Sequence, residues 1–189
     1  MLAYRKIMRL GIFTAFPTLL TAVLASMALA AVAPGPYTPT ADSFDPANAP
    51  GSSHLASGTV QCVVDTDLSI DCSKYVLGGV GHTNADVKLT ATYSATIDCF
   101  NKGTNPNNPV ESHTSNFSAS SSATVTSAKN GQLSVPTQSV SPFSAPQVCP
   151  NPNWTPAIRP GTLALTSFSY TLTFAGFGAP YITIAATDP

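Results

Sequence analysis

The chain has 189 residues, a formal net charge of −1 and only 9% charged side chains. The basic residues that follow residue 30 are scattered singly, which argues against binding to nucleic acid or to an anionic membrane surface. The length is that of one domain with a short leader, and no cofactor-binding motif is present, so no cofactor is predicted.

Residues 1–30 have the pattern of an export signal. Three basic residues precede an apolar stretch from Leu10 to Leu24, and Ala28-Leu29-Ala30 supplies the small residues of a cleavage site. A membrane anchor is the alternative, but the stretch is short for a span and is interrupted by Pro17. We therefore expect a secreted chain without a membrane span, whose nine acidic and five basic residues give a net charge near −4.

The chain that follows the signal begins with a segment of low regularity. Residues 31–58 are rich in proline, serine and glycine and predict an irregular lead-in, which places the folded domain at residues 59–189. Apolar and polar residues then alternate on both sides of a turn at Thr66–Leu68. A three-residue loop at that turn would set Cys62 directly opposite Cys72 in a hairpin.

Four cysteines, Cys62, Cys72, Cys99 and Cys149, make an even number in an exported chain, which predicts two disulfides. Three connectivities are possible, and we favour Cys62–Cys72 with Cys99–Cys149 because of the hairpin. A zinc site is the competing interpretation, but the cysteine spacings match no zinc motif.

The longest regular pattern in the chain extends from Ala85 to Cys99. Every odd position is apolar or small and every even position is polar, which predicts a long strand with one buried face. Its length favours a bend or bulge, which would let the strand contribute to both sheets of a two-sheet fold. Tyr75–Leu77 predicts a short strand before it. Gly78–Gly81 indicates a backbone crossing or a bulge rather than a phosphate site, because no helix follows.

The next signal is a predicted hairpin. Lys129-Asn130-Gly131 lies between two β-like runs, Phe117–Ala128 and Gln132–Val140, and Asn-Gly favours a tight turn between paired strands. Pro136 lacks a backbone N–H and therefore makes the second run an edge strand or a bulge. Residues 142–160 are predicted to form a loop.

The C-terminal part predicts two more strands. The apolar residues change parity near Thr166-Ser167, which indicates a bulge, and Tyr181–Ala185 is the last strand. The total of seven or eight strands without a helix signal predicts an all-β fold. We expect a two-sheet immunoglobulin-like sandwich with two disulfides.

Three segments carry a resemblance to known proteins: CSKYVLGGVGHTNA, LTATYSATIDC and CPNPNWTP. Across residues 59–189 the chain resembles small secreted, disulfide-stapled immunoglobulin-like β-sandwich proteins of bacteria and fungi. Members of that group are largely of unassigned function, so the resemblance implies a fold and export but no site residue. The chain departs from antibody-type domains because no tryptophan lies between the candidate inter-sheet cysteines.

Candidate catalytic groups are few. His54, His82 and His113 each lie in a predicted loop without a patterned partner, and no nucleophile motif accompanies them. No catalytic residue is predicted, and the chain is not interpreted as an enzyme. A serine, histidine and carboxylate brought together through space would still make a small hydrolase.

The densest acidic cluster consists of Asp65, Asp67 and Asp71. Calcium is the metal that such oxygen ligands would suit, but the glycine and the glutamate of a calcium-binding loop are missing. Turn aspartates that accept hydrogen bonds from their own backbone explain Asp65 and Asp67. No metal site is therefore predicted, and these three residues are the alternative to that prediction.

The single tryptophan, Trp154, lies among prolines close to Cys149. Asn151, Asn153 and Trp154 are the candidate binding residues, because a rigidly held ring would stack on a sugar or on a partner's aromatic side chain. The alternative interpretation is that the ring of Trp154 is buried and closes one end of the sandwich. Asn153 also begins one of two N-glycosylation sequons, the other beginning at Asn116.

The sequence thus predicts a secreted, non-enzymatic β-sandwich that acts as an extracellular binding or interaction module. A glycan or a cell-surface protein is the expected partner. A secreted toxin or effector and a small secreted hydrolase are the alternatives.

Overall fold

The computed structural model describes residues 31–40, 44–101, 108–144 and 148–188. The predicted export signal, residues 1–30, lies outside them. The described residues include two 3-10 helices, Pro46–Asn48 and Pro142–Ser144, and none of their helices is long and apolar enough to cross a membrane. The strands are β1 Gly35–Tyr37, β2 His54–Gly58, β3 Cys62–Val64, β4 Ile70–Cys72, β5 Tyr75–Gly78, β6 Ala85–Asn101, β7 Glu111–Val125, β8 Leu133–Val135, β9 Gln138–Val140, β10 Trp154–Ile158, β11 Ala164–Phe174 and β12 Ile182–Thr187.

The all-β prediction is confirmed, and the strands form three antiparallel sheets. The largest has five strands and is centred on β6. Along one edge β6 pairs with β7 without a register shift, from Ala85 opposite Val125 to Cys99 opposite Glu111. Its other edge pairs with β11 and then with β10, and β12 lies beyond β11.

The strand predicted at Ala85–Cys99 is confirmed, because every odd position in it is buried. The expectation that this strand bends to serve two sheets is wrong, since β6 pairs only within the five-stranded sheet. The predicted change of parity near Thr166-Ser167 is confirmed instead in β11, whose register to β6 shifts between Leu165 and Ser167.

The two smaller sheets have the strand orders β1-β3-β4-β9 and β2-β5-β8. They continue each other in register: Ile70 pairs with Val140 in one, and Tyr75 pairs with Val135 in the other. The interruption lies at Pro136, which has no N–H to donate to a ladder. The prediction that Pro136 marks an edge strand or bulge is confirmed, because β8 and β9 are each last in their sheet.

One hydrophobic cluster is shared by all three sheets. It contains Leu77 of β5, Val64 of β3 and Leu89 of β6, each exposed by 1% or less, together with most buried side chains of β11 and β12. Removing these side chains from water is the main source of stability in such a fold. The aromatic residues of β11, Phe168, Tyr170 and Phe174, lie in this cluster.

The predicted irregular lead-in, residues 31–58, contains more regular structure than expected. β1 and β2 both lie within residues 31–58, so the folded region begins before residue 59. β1 tolerates Pro36 because it is an edge strand, where one row of backbone groups needs no partner. β2 pairs with β5, and there the backbone of Ser52 approaches Gly79 so closely that a side chain at Gly79 would clash with it.

The predicted hairpin around Lys129-Asn130-Gly131 is wrong. The turn itself is present, because the N–H of Gly131 donates to the carbonyl of Ala128 at 3.0 Å. However, β7 pairs with β6 and β8 pairs with β5, so the turn carries the chain from one sheet to another. β8 bonds to β5 instead, and the second edge of β7 receives no strand from the described residues.

Twelve strands replace the seven or eight predicted, and the predicted loop at residues 142–160 contains β10. The last strand, predicted at Tyr181–Ala185, is observed at Ile182–Thr187. Both predicted disulfides, Cys62–Cys72 and Cys99–Cys149, are confirmed.

Candidate functional site

The five-stranded sheet extends into a region that carries its own small core. We call this region the distal end; it consists of Ala95–Asn101 of β6, Glu111–Phe117 of β7, and β10. The odd-numbered side chains Ala95, Ile97 and Cys99 are buried there in a separate hydrophobic cluster. None of the members of this cluster within the described residues belongs to the two smaller sheets.

The segment from Val148 to the start of β10, which we call the Cys149 segment, covers part of this small core. The disulfide to Cys99 attaches Cys149 to the end of β6, and the partly buried side chains of Trp154 and Ile158 pack against the same cluster. β10 is held in place because it pairs with β6 from Trp154 opposite Asn101 to Ile158 opposite Ile97. The ring of Trp154 therefore contributes to packing, and it is not fully buried.

Large apolar side chains are exposed in the segments attached to this core. Val110 is 48% exposed, Phe143 68% and Val148 71%. The N–H of Val110 donates to the carbonyl of Cys99 at 2.9 Å, Val148 adjoins Cys149, and the 3-10 helix that contains Phe143 contacts β7. Within the described residues, the remaining large hydrophobic side chain that is exposed is Leu55, which lies in β2.

The opposite face of the distal end carries a closed ionic network. Arg159 donates to both carboxylate oxygens of Asp98, at 3.1 and 2.7 Å, and the hydroxyl of Ser112 donates to Asp98 at 2.6 Å. These hydrogen bonds, that of Arg159 first, hold the pKa of Asp98 below its usual range. The charges are mutually satisfied, so this network holds the strands in register and offers no free charge to a ligand.

The face of the distal end that carries Ala95, Ile97 and Cys99, which we call the apolar face, contains one titratable pair. His113 Nδ1 lies 3.7 Å from Glu111 Oε1, and both side chains are about one-third exposed, at 32% and 39%. The Nδ1 atom is buried and has no hydrogen-bond partner among the described residues. A hydrolase of the kind considered above needs a nucleophile bonded to the histidine. No serine, threonine or cysteine within the described residues donates to His113.

The other two histidines lie elsewhere. His54 is exposed on β2, with Nδ1 2.9 Å from the carbonyl of Ser52, and His82 is exposed in the turn before β6. The structure therefore does not bring the three histidines together. In the parts of the chain that the structure describes, no group of three or more His, Cys, Asp or Glu side chains is arranged to hold a metal ion.

The acidic cluster divides into two parts. Asp67 accepts hydrogen bonds from the N–H of Ser69 at 2.9 Å and from its hydroxyl at 2.6 Å, which confirms the turn interpretation for that residue. The bond from the Ser69 side chain is the main reason that the pKa of Asp67 is lowered. Asp71 lies on β4 and accepts instead from the hydroxyl of Ser139. The carboxylates of Asp67 and Asp71 thus have separate partners.

Of the predicted binding residues, Asn151 and Asn153 form a turn that leads into β10. The side chain of Asn151 accepts from the N–H of Asn153 at 2.9 Å, and the carbonyl of Asn151 accepts from the N–H of Trp154 at 3.0 Å. Their first role is thus to begin the strand. Sequence reasoning missed Phe143 and Val148, although an apolar residue next to Cys149 in a predicted loop was a usable signal.

A polar groove of about 410 Å³ lies on the small sheets at their interruption. Part of its polar lining is already paired, because the hydroxyl of Ser73 donates to the carbonyl of Thr59 and Ser139 donates to Asp71. Polar groups that already have partners gain little by binding a ligand. The distal end is therefore the better candidate for a functional site.

Comparison of the chain with protein-family models, with curated proteins and with solved structures finds no match.

Proposed function

We propose that this chain is an extracellular, non-enzymatic binding module that docks a partner protein on the apolar face of its distal end. The observation that carries the proposal is the exposure of Val110, Phe143 and Val148 in segments that are attached to β6 and β7. Single exposed apolar residues are ordinary on protein surfaces, but several in one region are typical of a surface that another protein covers.

The chemistry of the face favours a protein over a glycan. A sugar-binding platform presents an aromatic ring to solvent, with free hydrogen-bonding groups around it. Here the ring of Trp154 packs partly on the distal cluster. One ring, that of Phe143, is exposed, but the other exposed large side chains of the attached segments are the aliphatic Val110 and Val148, not hydrogen-bonding groups. The ionic groups nearby are paired with each other. We infer that the partner contributes aliphatic or aromatic side chains.

The fold that we propose for the module is an immunoglobulin-like sandwich in which the two smaller sheets act as a single layer. Support comes from the register shared by β4–β9 and β5–β8 across the interruption. The core cluster with members in all three sheets gives further support. The distal end would then extend beyond the second layer, which would explain why its apolar face is incompletely covered.

Secretion is part of the same proposal. Two disulfides are typical of proteins that fold in an oxidising compartment, and the structure describes no free cysteine. A rigid disulfide-linked surface also suits a binding module, because little conformational freedom is lost when a partner binds.

A displayed library of random peptides, selected against the immobilised oxidised chain, would test the docking surface. We expect selected peptides to carry aromatic or aliphatic anchors. A double variant with Phe143→Ser and Val148→Ser should weaken their binding by at least about tenfold, a loss of about 1.4 kcal/mol. Both side chains are mostly exposed, so the variant should fold normally.

Leu55→Ser is the matched control, because Leu55 is also an exposed large hydrophobic residue but lies in β2. It should leave peptide binding unchanged. The proposal fails if the selected peptides bind the double variant as tightly as the unchanged chain, or if no peptide binds. It also fails if a glycan array screened in parallel yields the only specific ligands.

The other predicted functions gain no comparable support. The hydrolase alternative has the His113–Glu111 pair but no nucleophile bonded to it in the described chain. No feature of the described residues favours a toxin or effector over a binding module, so that alternative stays a prediction that application of the purified protein to target cells would test.

A further inference from the structure

The five-stranded sheet ends in an unusually long free edge. β7 bonds to β6 along one side throughout Glu111–Val125, and no described residue forms a backbone hydrogen bond with its other side. Every other strand that ends a sheet has six residues or fewer. A row of unpaired backbone groups is a ready template for another strand.

β7 is contacted by β8, by β9 and by the 3-10 helix Pro142–Ser144, without backbone hydrogen bonds to them. Its own sequence lacks the features that normally protect such an edge. Its sequence, ESHTSNFSASSSATV, contains no lysine, proline or glycine, and its ladder to β6 has no bulge. The one carboxylate, Glu111, lies at its first position. Proteins that must keep an edge strand unpaired usually place a charge, a proline or a bulge within it.

We propose that β7 is a self-association surface, on which two copies of this chain pair their β7 strands antiparallel to form one ten-stranded sheet. A twofold axis at Ser118, the midpoint of β7, lets all of Glu111–Val125 overlap with the second copy. The shared ladder is about 50 Å long. It contains about 15 hydrogen bonds, compared with about 10 in a typical protein interface.

The side chains of β7 are compatible with its own sequence in that register. Glu111 lies opposite Val125 of the second copy and His113 lies opposite Ala123, so no like charges meet. On the exposed face, hydroxyl side chains lie opposite one another, as at Thr114 and Ser122. Such cross-strand hydroxyl pairs are favourable in antiparallel sheets.

The same composition favours a second copy over an unrelated peptide. A peptide that adds to a sheet edge is recognised through pockets for its alternate side chains. The exposed face of β7 presents only serine, threonine and asparagine, all small and exposed, which offer no such pocket. Strand length and backbone bonding therefore determine the partner, and β7 itself matches both.

Analytical ultracentrifugation of the oxidised chain over a wide dilution series tests the proposal. We expect a dimer that dissociates on dilution. Ser118→Lys should give a monomer at every concentration, because the two lysines would face each other across the twofold axis. Ala185→Lys is the matched control, since Ala185 is exposed on the same face of the sheet but in β12; it should remain dimeric. Thermal unfolding confirms that both variants fold.

A cysteine scan tests the register. Ser118→Cys should form an intermolecular disulfide, because residues that face each other across an antiparallel pair lie within disulfide reach. Thr114→Cys should not, since the two copies of Thr114 lie about 27 Å apart along the ladder. A monomeric unchanged chain, a dimeric Ser118→Lys variant or cross-linking of Thr114→Cys as efficient as that of Ser118→Cys would overturn the proposal. Phe143→Ser with Val148→Ser should leave the dimer intact, so failure of this inference is distinguishable from failure of the proposed function.

Discussion

The hydroxyl of Tyr75 lies 2.9 Å from the hydroxyl of Tyr170, and each ring is at least 97% buried. Tyr75 belongs to β5 of a small sheet and Tyr170 to β11 of the five-stranded sheet, 95 residues later in the chain. This is a polar contact inside an apolar core, and each hydroxyl supplies the partner that burial makes necessary. The pair therefore joins two sheets that share no backbone hydrogen bonds.

Removing one hydroxyl of this pair should destabilise the fold. Tyr75→Phe and Tyr170→Phe each leave a buried hydroxyl without its partner, which costs about 1–3 kcal/mol. The double variant should cost less than the sum of the two, because no unpaired hydroxyl is left. Urea unfolding of the four proteins gives the coupling energy. Strict additivity would contradict the pairing, and Tyr37→Phe, whose hydroxyl is exposed, is the control with a small effect.

Buried tyrosines should make the protein sensitive to alkali. Burial raises the pKa of Tyr170 and of Tyr93 to about 12, and it raises the pKa of Tyr75 further. In the unfolded chain a tyrosine titrates near pH 10. Between those values the unfolded state has lost protons that the folded state retains, so stability falls as pH rises.

The measurement is the free energy of unfolding in urea at a series of pH values. We expect it to show no tyrosine contribution to its pH dependence below about pH 10 and a decline above it, with a smaller slope in Tyr93→Phe because one titrating group is absent. A slope above pH 10 that is unchanged in Tyr93→Phe would show that the Tyr93 hydroxyl ionises equally well in the folded and unfolded chain.

The two disulfides should contribute unequally. Cys62 and Cys72 are 10 residues apart, whereas Cys99 and Cys149 are 50 apart. The chain-entropy model then gives losses of about 2.7 and about 4 kcal/mol when each bond is replaced by two alanines. Urea unfolding of the two double-alanine variants measures the difference. A smaller loss for the Cys99–Cys149 replacement would mean that its loop is already restricted in the unfolded chain.

A close backbone approach makes Gly79 a sensitive position. A Cβ atom at Gly79 would lie 2.1 Å from the carbonyl oxygen of Ser52, and the φ angle of Gly79 is +72°. Gly81 has a φ angle of +62° but nothing within 4 Å of the same atom, so it serves as a control for backbone strain alone.

We expect Gly81→Ala to cost about 1–2 kcal/mol, the usual penalty for a left-handed alanine. Gly79→Ala should cost clearly more, because the backbone of Ser52 must also move away from β5. Thermal and urea unfolding of both variants make the comparison. Equal losses would remove the claim that the two backbones touch.

Several elements could be predicted because their signals are local. The alternation over Ala85–Cys99 specifies a strand with one buried face, whatever its neighbours are. The turn at Thr66–Leu68 sets Cys62 opposite Cys72, and the structure pairs them in that register, with Leu68 in the left-handed region at φ 66°. The change of parity near Thr166 is equally local, since a bulge moves the following side chains to the other face.

Only some residues of the candidate site could be predicted from the sequence. Trp154 and Cys149 are unusual residue types and attract attention, and both lie at the distal end. Phe143 and Val148 look ordinary in the sequence, and only the structure shows that their side chains are 68% and 71% exposed. β10 was missed for a related reason, because Pro156 breaks its pattern although the edge position accepts it.

The sequence alone thus predicted the all-β character, the two disulfides and the buried face of β6. The export signal is a further prediction from the sequence. These properties depend on residue type and on spacing over a few residues. Strand partners depend on neither. Backbone hydrogen bonds are the same for every residue except proline, so the pairing of β7 with β6 and of β8 with β5 was decided only when distant segments came together in the fold. The folded chain alone therefore leaves one edge of β7 free and the apolar face of the distal end incompletely covered.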